Sequence, residues 1–274
     1  MLTSSIKRKV MRGFDRSAKG YRFHALFQEE IARETAAIAM RHAKPEGRIL
    51  DIGCGDGALL AAIIDHQTLN GGSATGRLAV DVSTGMCAVA RGRLGPMGAA
   101  VIRADAESLP LATSSVTMIV SSLALQWVED IDAALMEAAR TLAPGGAFVA
   151  ATLGPGTFPE LRQSARKALG ADNAGHDTAS AFPSVAEMER SLAYAGFDYT
   201  ISRSLRARYY ENFLDFIRSL KNVGAMGQPG LTGAGLARRG FLQSLEREYE
   251  NEFRFDEGLR ATYETLFITA VLKG

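Results

Sequence analysis

Asp51, Gly53, Gly55 and Gly57 stand within seven residues and together can hold a small charged ligand. They close the apolar run Arg48-Ile49-Leu50-Asp51-Ile52 and precede Ala58-Leu59-Leu60-Ala61-Ala62-Ile63-Ile64, which predicts strand, tight turn and helix. Glycines expose bare peptide to a ligand, and the helix start behind them supplies unpaired N–H groups. Gly53, Gly55 and Ala58 satisfy a loose dinucleotide fingerprint, which is a weak signal alone. A carboxylate two residues before the first glycine suits a ligand with an amino-acid end better than a pyrophosphate. Asp81 lies 24 residues after Gly57, near the end of the run Arg77–Val82, where a nucleotide site needs an acid for ribose hydroxyls. A third acid, Asp105, with Ala106 beside it, follows the run Ala99–Arg103. Leu123-Ala124-Leu125-Gln126-Trp127-Val128 follows a fourth run and carries the chain's single Trp.

These positions need strand ends on a common edge. Arg77–Val82, Ala99–Arg103, Val116–Ser122 and Ala147–Thr152 read as further strands, separated by helices or loops. Pro144-Gly145-Gly146 reads as the turn before the fifth of them. Alternating strand and helix implies a parallel sheet with helices on both faces. Ahead of this core, a helix is expected over about His24 to Arg41. Behind it, helices are expected over Phe158–Leu169, Ser184–Ala195, Asn212–Val223 and Leu236–Phe253. Asp198–Arg208 and Tyr263–Leu272 read as strands, the first an antiparallel partner. Helices inserted between those last two strands would cap the carboxyl edge. Arg218 and Lys221, three apart on one helix, share a face that such a cap could aim at a substrate.

At 274 residues, 47% hydrophobic and 22% charged, the chain suits one α/β domain with additions. A net charge of +1 makes no case for nucleic acid. The cations cluster, however: residues 1–24 hold seven Lys and Arg against Asp15 alone, a local +6 that could meet an acidic partner. Cys54 and Cys87 are the only cysteines, with no metal or disulfide spacing. Cys54, inside the turn, reads as a small packing residue. No run approaches a membrane span and no secretory signal is visible, so a cytoplasmic setting is expected.

The string Asp51-x-Gly53-x-Gly55-x-Gly57, with Asp81, Asp105-Ala106 and the turn Leu142-Ala143-Pro144-Gly145-Gly146, resembles class I S-adenosyl-L-methionine (SAM) methyltransferases. Other segments are similar to the malonyl-acyl carrier protein O-methyltransferases of biotin synthesis. These are Phe14-Asp15-Arg16-x-Ala18-x-x-Tyr21-x-x-His24-Ala25-x-x-Gln28, Leu123–Trp127, Gly156–Leu161, Arg218–Ala225 and Ala261–Glu264. Asn222 and Val223 depart from that family's commoner Gly and Ile.

The resemblance implies a Rossmann-like, mostly parallel seven-stranded sheet with a helical cap. It divides the chain into a basic arm or lid (1–43), a SAM-binding core (44–155) and a sheet-completing, substrate-side part (156–274). SAM would be held by Gln28, Asp51, Gly53, Cys54, Gly55, Gly57, Asp81, Val82, Asp105, Ala106 and Leu123, with Asp105 accepting from the adenine amino group. Tyr21, Trp127, Arg218 and Lys221 would serve the substrate side, Tyr21 and Gln28 closing over the cofactor. The implied substrate is malonyl-acyl carrier protein, or malonyl-CoA, with no metal, membrane or nucleic acid. A carboxylate with a pKa near roughly 4 is already a nucleophile at neutral pH, so no general base is required. Two alternatives stay open. One is a relative acting on a protein arginine in respiratory complex I assembly; the other is a non-catalytic SAM-binding protein.

Overall fold

β1 (Arg48–Ile52) is buried at every residue but its first, as an apolar run in mid-sheet must be. The computed structural model, which describes residues 12–15, 26–42, 47–69, 76–169, 182–222 and 239–274, sets β1 between β2 (Gly76–Asp81) and β4 (Val116–Ser122), parallel to both. β3 (Ala100–Arg103) lies outside β2, and β5 (Leu142–Leu153) lies beyond β4, again parallel. β6 (Phe197–Tyr210) and β8 (Gly258–Leu272) complete the order β3-β2-β1-β4-β5-β8-β6, with β8 antiparallel to both neighbours. The two-residue β7 (Arg254–Phe255) folds back on β8 and is, among the described residues, the one strand beyond the expected seven.

Successive side chains of each strand point to opposite faces. Ile49, Met118, Val120 and Val149 pack on one side against α1 (Leu26–Met40), α2 (Ala58–Leu69) and α3 (Thr84–Leu94). Leu50, Ile119, Phe148 and Ala150 pack on the other against α4 (Ile131–Thr141) and α6 (Val185–Tyr194). Helix starts are fixed locally: Asp130 caps α4, and Ser184 with Glu187 forms a capping box on α6. One boundary differs from expectation. Pro144-Gly145-Gly146 does not precede β5 but lies within it, because Gly145 takes φ +68° and a register shift between Val116 and Met118 absorbs the irregularity.

α5 (Pro159–Leu169), α7 (Phe213–Asn222) and α8 (Arg239–Phe253) stand over the β5–β8 end of the carboxyl edge. The last two lie between β6 and β8 in sequence, as expected of a cap. Aromatic rings weld the cap to the sheet and to α1: Phe158 meets Phe216 at 5.4 Å and Tyr263 at 4.7 Å, and Phe27 meets Tyr263 at 4.3 Å. α1 is also held by Arg206, paired with Glu30 at 2.8 Å and with Glu34, and by Arg208, paired with Glu30. These arginines stand on the sheet's edge strand, where charge discourages pairing with another chain. Among the described residues, no helix is long and apolar enough to cross a membrane.

Glu264 ties the loop after β5 to β8. Its fully buried carboxylate accepts the Gly156 N–H at 2.6 Å and is paired with Arg203. The burial is one-sided, since the Arg203 side chain is 61% exposed. Glu264→Met, which removes the acceptor as well as the charge, is therefore expected to lower stability by about 2 kcal/mol in urea unfolding, within the range for hydrogen bonds to charged groups. Arg203→Gln should lower it by less than about 1 kcal/mol, as for an exposed ion-pair partner. Equal losses would show that the ion pair, not the loop contact, carries the energy.

Candidate active site

The turn after β1 is held from below and opens above. Gly53 and Cys54 N–H both donate to the Val80 carbonyl, at 2.8 and 2.9 Å, so the turn leans on β2. Gly53, Gly55 and Gly57 all take positive φ, of 68°, 54° and 83°. Beside the turn, the Gly55 N–H donates to Asp81 Oδ2 at 2.9 Å, and the Ser83 N–H donates to Asp81 Oδ1 at 2.8 Å. Across it, β4 is followed by Leu123, a non-glycine residue at φ +52° whose N–H donates to the Ala151 carbonyl. Gln126 braces this second turn. Its Nε2 donates to the Leu123 carbonyl and its Oε1 accepts from Thr152 Oγ1, both at 2.9 Å. Gln126 thus joins the ends of β4 and β5, and Trp127 follows it onto the wall.

Between the two turns lies an open cleft of about 1110 Å³, counting the solvent space of its mouth. Asp51 at its floor is buried, and neither carboxylate oxygen has a hydrogen-bond partner. Burial pushes this carboxyl up to about 8; the Leu60 N–H offsets part of the rise without reaching hydrogen-bond geometry, and Asp81 and Asp56 add to it. Burial also lifts Asp81, to about 6, with the Ser83 and Gly55 N–H groups holding it back and Asp15 adding to it. The Cys54 thiol is pushed well up by burial and by Asp51, so it is a small wall group rather than a nucleophile. Asp105 Oδ1 accepts from the Glu107 N–H at 3.1 Å, which fixes the carboxylate at the rim.

Of the residues expected from sequence, Gln28, Asp51, Gly53, Cys54, Gly55, Asp81, Val82, Asp105, Ala106, Leu123 and Trp127 come together on this wall. Gly57 does not. A Cβ there would meet the Leu94 side chain at 2.8 Å, so its bareness serves the packing of α2 on α3. Arg218 does not reach the wall either: its side chain is 61% exposed and donates to Asp215 at 3.2 Å. Tyr21 and the side chain of Lys221 lie outside the described residues. Among the described residues, the wall carries no Lys or Arg. The structure also adds wall residues beyond the expected site set, among them Met86, and Ala124 and Phe14 from within the quoted segments. Phe14 meets Trp127 edge to face at 5.4 Å. The signal for it was present, an aromatic residue in an otherwise basic stretch, but its destination was not.

A methyltransferase-domain family matches residues 50–150, the span from β1 to β5. Solved structures that share the fold include the YcgJ protein of Bacillus subtilis, with a TM-score of 0.60 at 18% identity, covering 88% of this chain and 99% of that one. Another is Haemonchus contortus phosphoethanolamine N-methyltransferase 2, solved with SAM, with a TM-score of 0.57 at 19% identity over 99% of this chain and 61% of that one. Full-length relatives are more informative. The malonyl-[acyl-carrier protein] O-methyltransferase of Geobacter sulfurreducens is 33% identical over 95% of this chain and 97% of its own. That of a Methylovorus species is 34% identical over 95% and 87%. The chain belongs to the malonyl-[acyl-carrier protein] O-methyltransferase family. The expected class I SAM methyltransferase fold is therefore the observed one. The arginine-methylating, assembly and non-catalytic alternatives gain no support from these relatives. Of the segments that suggested this family, Leu123–Trp127 and Phe14-Asp15 reach the cleft region, whereas α7, which begins the Arg218–Ala225 segment, contributes nothing to the wall among the described residues.

Proposed function

We propose that this protein transfers a methyl group from SAM to the free carboxylate of a malonyl thioester on acyl carrier protein, the step that opens biotin synthesis in its family. The observation that carries the cofactor half is Asp51, a buried carboxylate with no partner, at the floor of a cleft lined by bare backbone. A buried acid of that kind calls for a cationic group, and the amino-acid end of SAM brings an ammonium. Asp81 would take the ribose hydroxyls and Asp105 the adenine amine, because an ionised carboxylate only accepts. When bound, SAM supplies an electrophilic methyl group.

The protein's own contribution is placement and dryness. Trp127, Leu123 and Phe14 line the same cleft with apolar surface, which would strip water from the incoming carboxylate. That carboxylate is already ionised at neutral pH, so the protein needs to align it rather than deprotonate it. The acidic carrier protein is the finer part of the reading, and it gives the +6 of residues 1–24 a use. A cytoplasmic setting goes with that partner.

The test is mass spectrometry of malonyl-acyl carrier protein incubated with the protein and SAM. A gain of one methyl on the malonyl group, removable by mild ester hydrolysis, is expected. Unmodified carrier protein, under conditions where calorimetry shows SAM bound, would remove the substrate half of the reading.

A further inference from the structure

Residues 12–15 cross the start of α3, and Asp15 is fastened there twice. Asp15 Oδ1 accepts from Ser83 Oγ at 2.6 Å and from the Gly85 N–H at 2.9 Å. The remaining contacts at this helix start lead to the cleft. Ser83 Oγ caps α3 by accepting from the Met86 N–H at 3.1 Å, and the Ser83 N–H donates to Asp81. Asp81 in turn holds the Gly55 N–H of the glycine turn. Asp15, Ser83, Asp81 and Gly55 therefore form one continuous chain from the N-terminal segment to the backbone of the cleft. Two carboxylates share this helix N-terminus, where the unpaired N–H groups and the helix dipole favour negative charge.

Two further observations give the fastening a direction. Phe14, the residue before Asp15, lines the cleft and packs on Trp127 at 5.4 Å. Gly85 is the residue that lets the segment come so close: a Cβ there would stand 3.1 Å from Asp15 Cα and 3.2 Å from both its carbonyl and its Oδ1. Gly85 lies in a helix, where glycine is otherwise a liability of about 1 kcal/mol against alanine. A helix that admits glycine at its second residue, beneath a carboxylate that bonds to it, is shaped to receive that carboxylate.

We propose that Asp15 is a positioning residue for the cofactor: anchored on Ser83 and Gly85, it seats Phe14 against Trp127 and holds in place the Ser83 whose N–H bonds Asp81. The proposal rests on the reading of this cleft as the SAM site. It assigns Asp15 no contact with the reacting atoms, so its loss should act on binding and not on the chemical step.

The experiment uses the full chain and calorimetric titration with SAM, alongside KM and kcat for malonyl-acyl carrier protein methylation. Asp15→Ala is expected to weaken SAM binding and raise its KM at least about tenfold, with kcat within about twofold of wild type. Asp15→Asn keeps an acceptor oxygen for both donors and should restore binding to within about threefold. Gly85→Ala provides an independent arm. It should raise or leave unchanged the melting temperature, as a helix-favouring change, yet weaken SAM binding severalfold by displacing Asp15. Wild-type affinity in Asp15→Ala, or a Gly85→Ala protein that binds SAM normally, overturns the positioning role. A loss of kcat at unchanged KM overturns it as well. Absence of SAM binding by the wild-type protein would instead overturn the reading of the cleft itself, so the two failures are distinguishable.

Discussion

Gly53→Ala is expected to lose more than about a hundredfold in SAM affinity, or roughly 2.7 kcal/mol. The added Cβ would lie 2.3 Å from the Cβ of Ala124, with Gly53 at φ +68°. Left-handed backbone costs an L-residue roughly 1–2 kcal/mol, and forcing a methyl into a packed site adds about 1–3 kcal/mol. Neither side can yield cheaply. The Gly53 turn is bonded to Val80, and the turn facing it is braced by Gln126. Whichever turn moves, one wall of the cleft moves with it. Gly55→Ala is the control for backbone strain in stability, since a Cβ there meets no protein atom within 4 Å. Gly57→Ala is the control for strain and packing together away from the cleft, since at φ +83° its obstacle is Leu94. Urea unfolding and calorimetry on the three variants should rank Gly53→Ala worst in affinity. A Gly53→Ala protein that binds SAM within about threefold of wild type would disprove this account of the turn.

The same three glycines mark how far the sequence could be read. That β1, a glycine turn and α2 follow one another was legible, because apolar runs bounded by glycine have few other outcomes. So was the placing of Asp81 and Asp105, because consecutive parallel strands bring their carboxyl ends to one edge. What Gly57 is for was not legible, since the atom it makes room for belongs to Leu94, on another helix. Arg218 illustrates a second limit. The apolar residues Phe213, Phe216, Ile217 and Leu220 all face the core, and that docking alone leaves Arg218 on the outer side of α7. Spacing told which residues share a face, but not which neighbour the helix would choose. The seat of residues 12–15 on α3 was not legible either, because the groups that make it, Ser83 and Gly85, lie far along the chain.

At Asp51 stability and binding should pull in opposite directions. Its carboxyl is raised from 3.8 to about 8 by burial, so between those pH values the folded protein holds a proton that the unfolded chain has released. Stability from this group is complete below about pH 4 and is lost as pH rises through the folded value near 8. Asparagine cannot ionise and escapes that loss. The ligand-free Asp51→Asn protein should therefore match wild type near pH 4 and become more stable toward pH 8, by on the order of 5 kcal/mol. SAM should reverse the ranking. The ammonium of the cofactor would lose its charged partner, and affinity should fall about ten- to a hundredfold, or roughly 1.4–2.7 kcal/mol. Binding to wild type should also release a proton below pH 8, because a bound cation draws the carboxyl back toward its ordinary value. Calorimetry at pH 7 in two buffers of different ionisation enthalpy would register that proton for wild type and not for Asp51→Asn. Melting curves at pH 5 and 8, with and without SAM, complete the comparison. If the variant follows the wild-type pH dependence, Asp51 is not the strained acid at the floor of the cleft. If it binds SAM as tightly as wild type, the ammonium lies elsewhere.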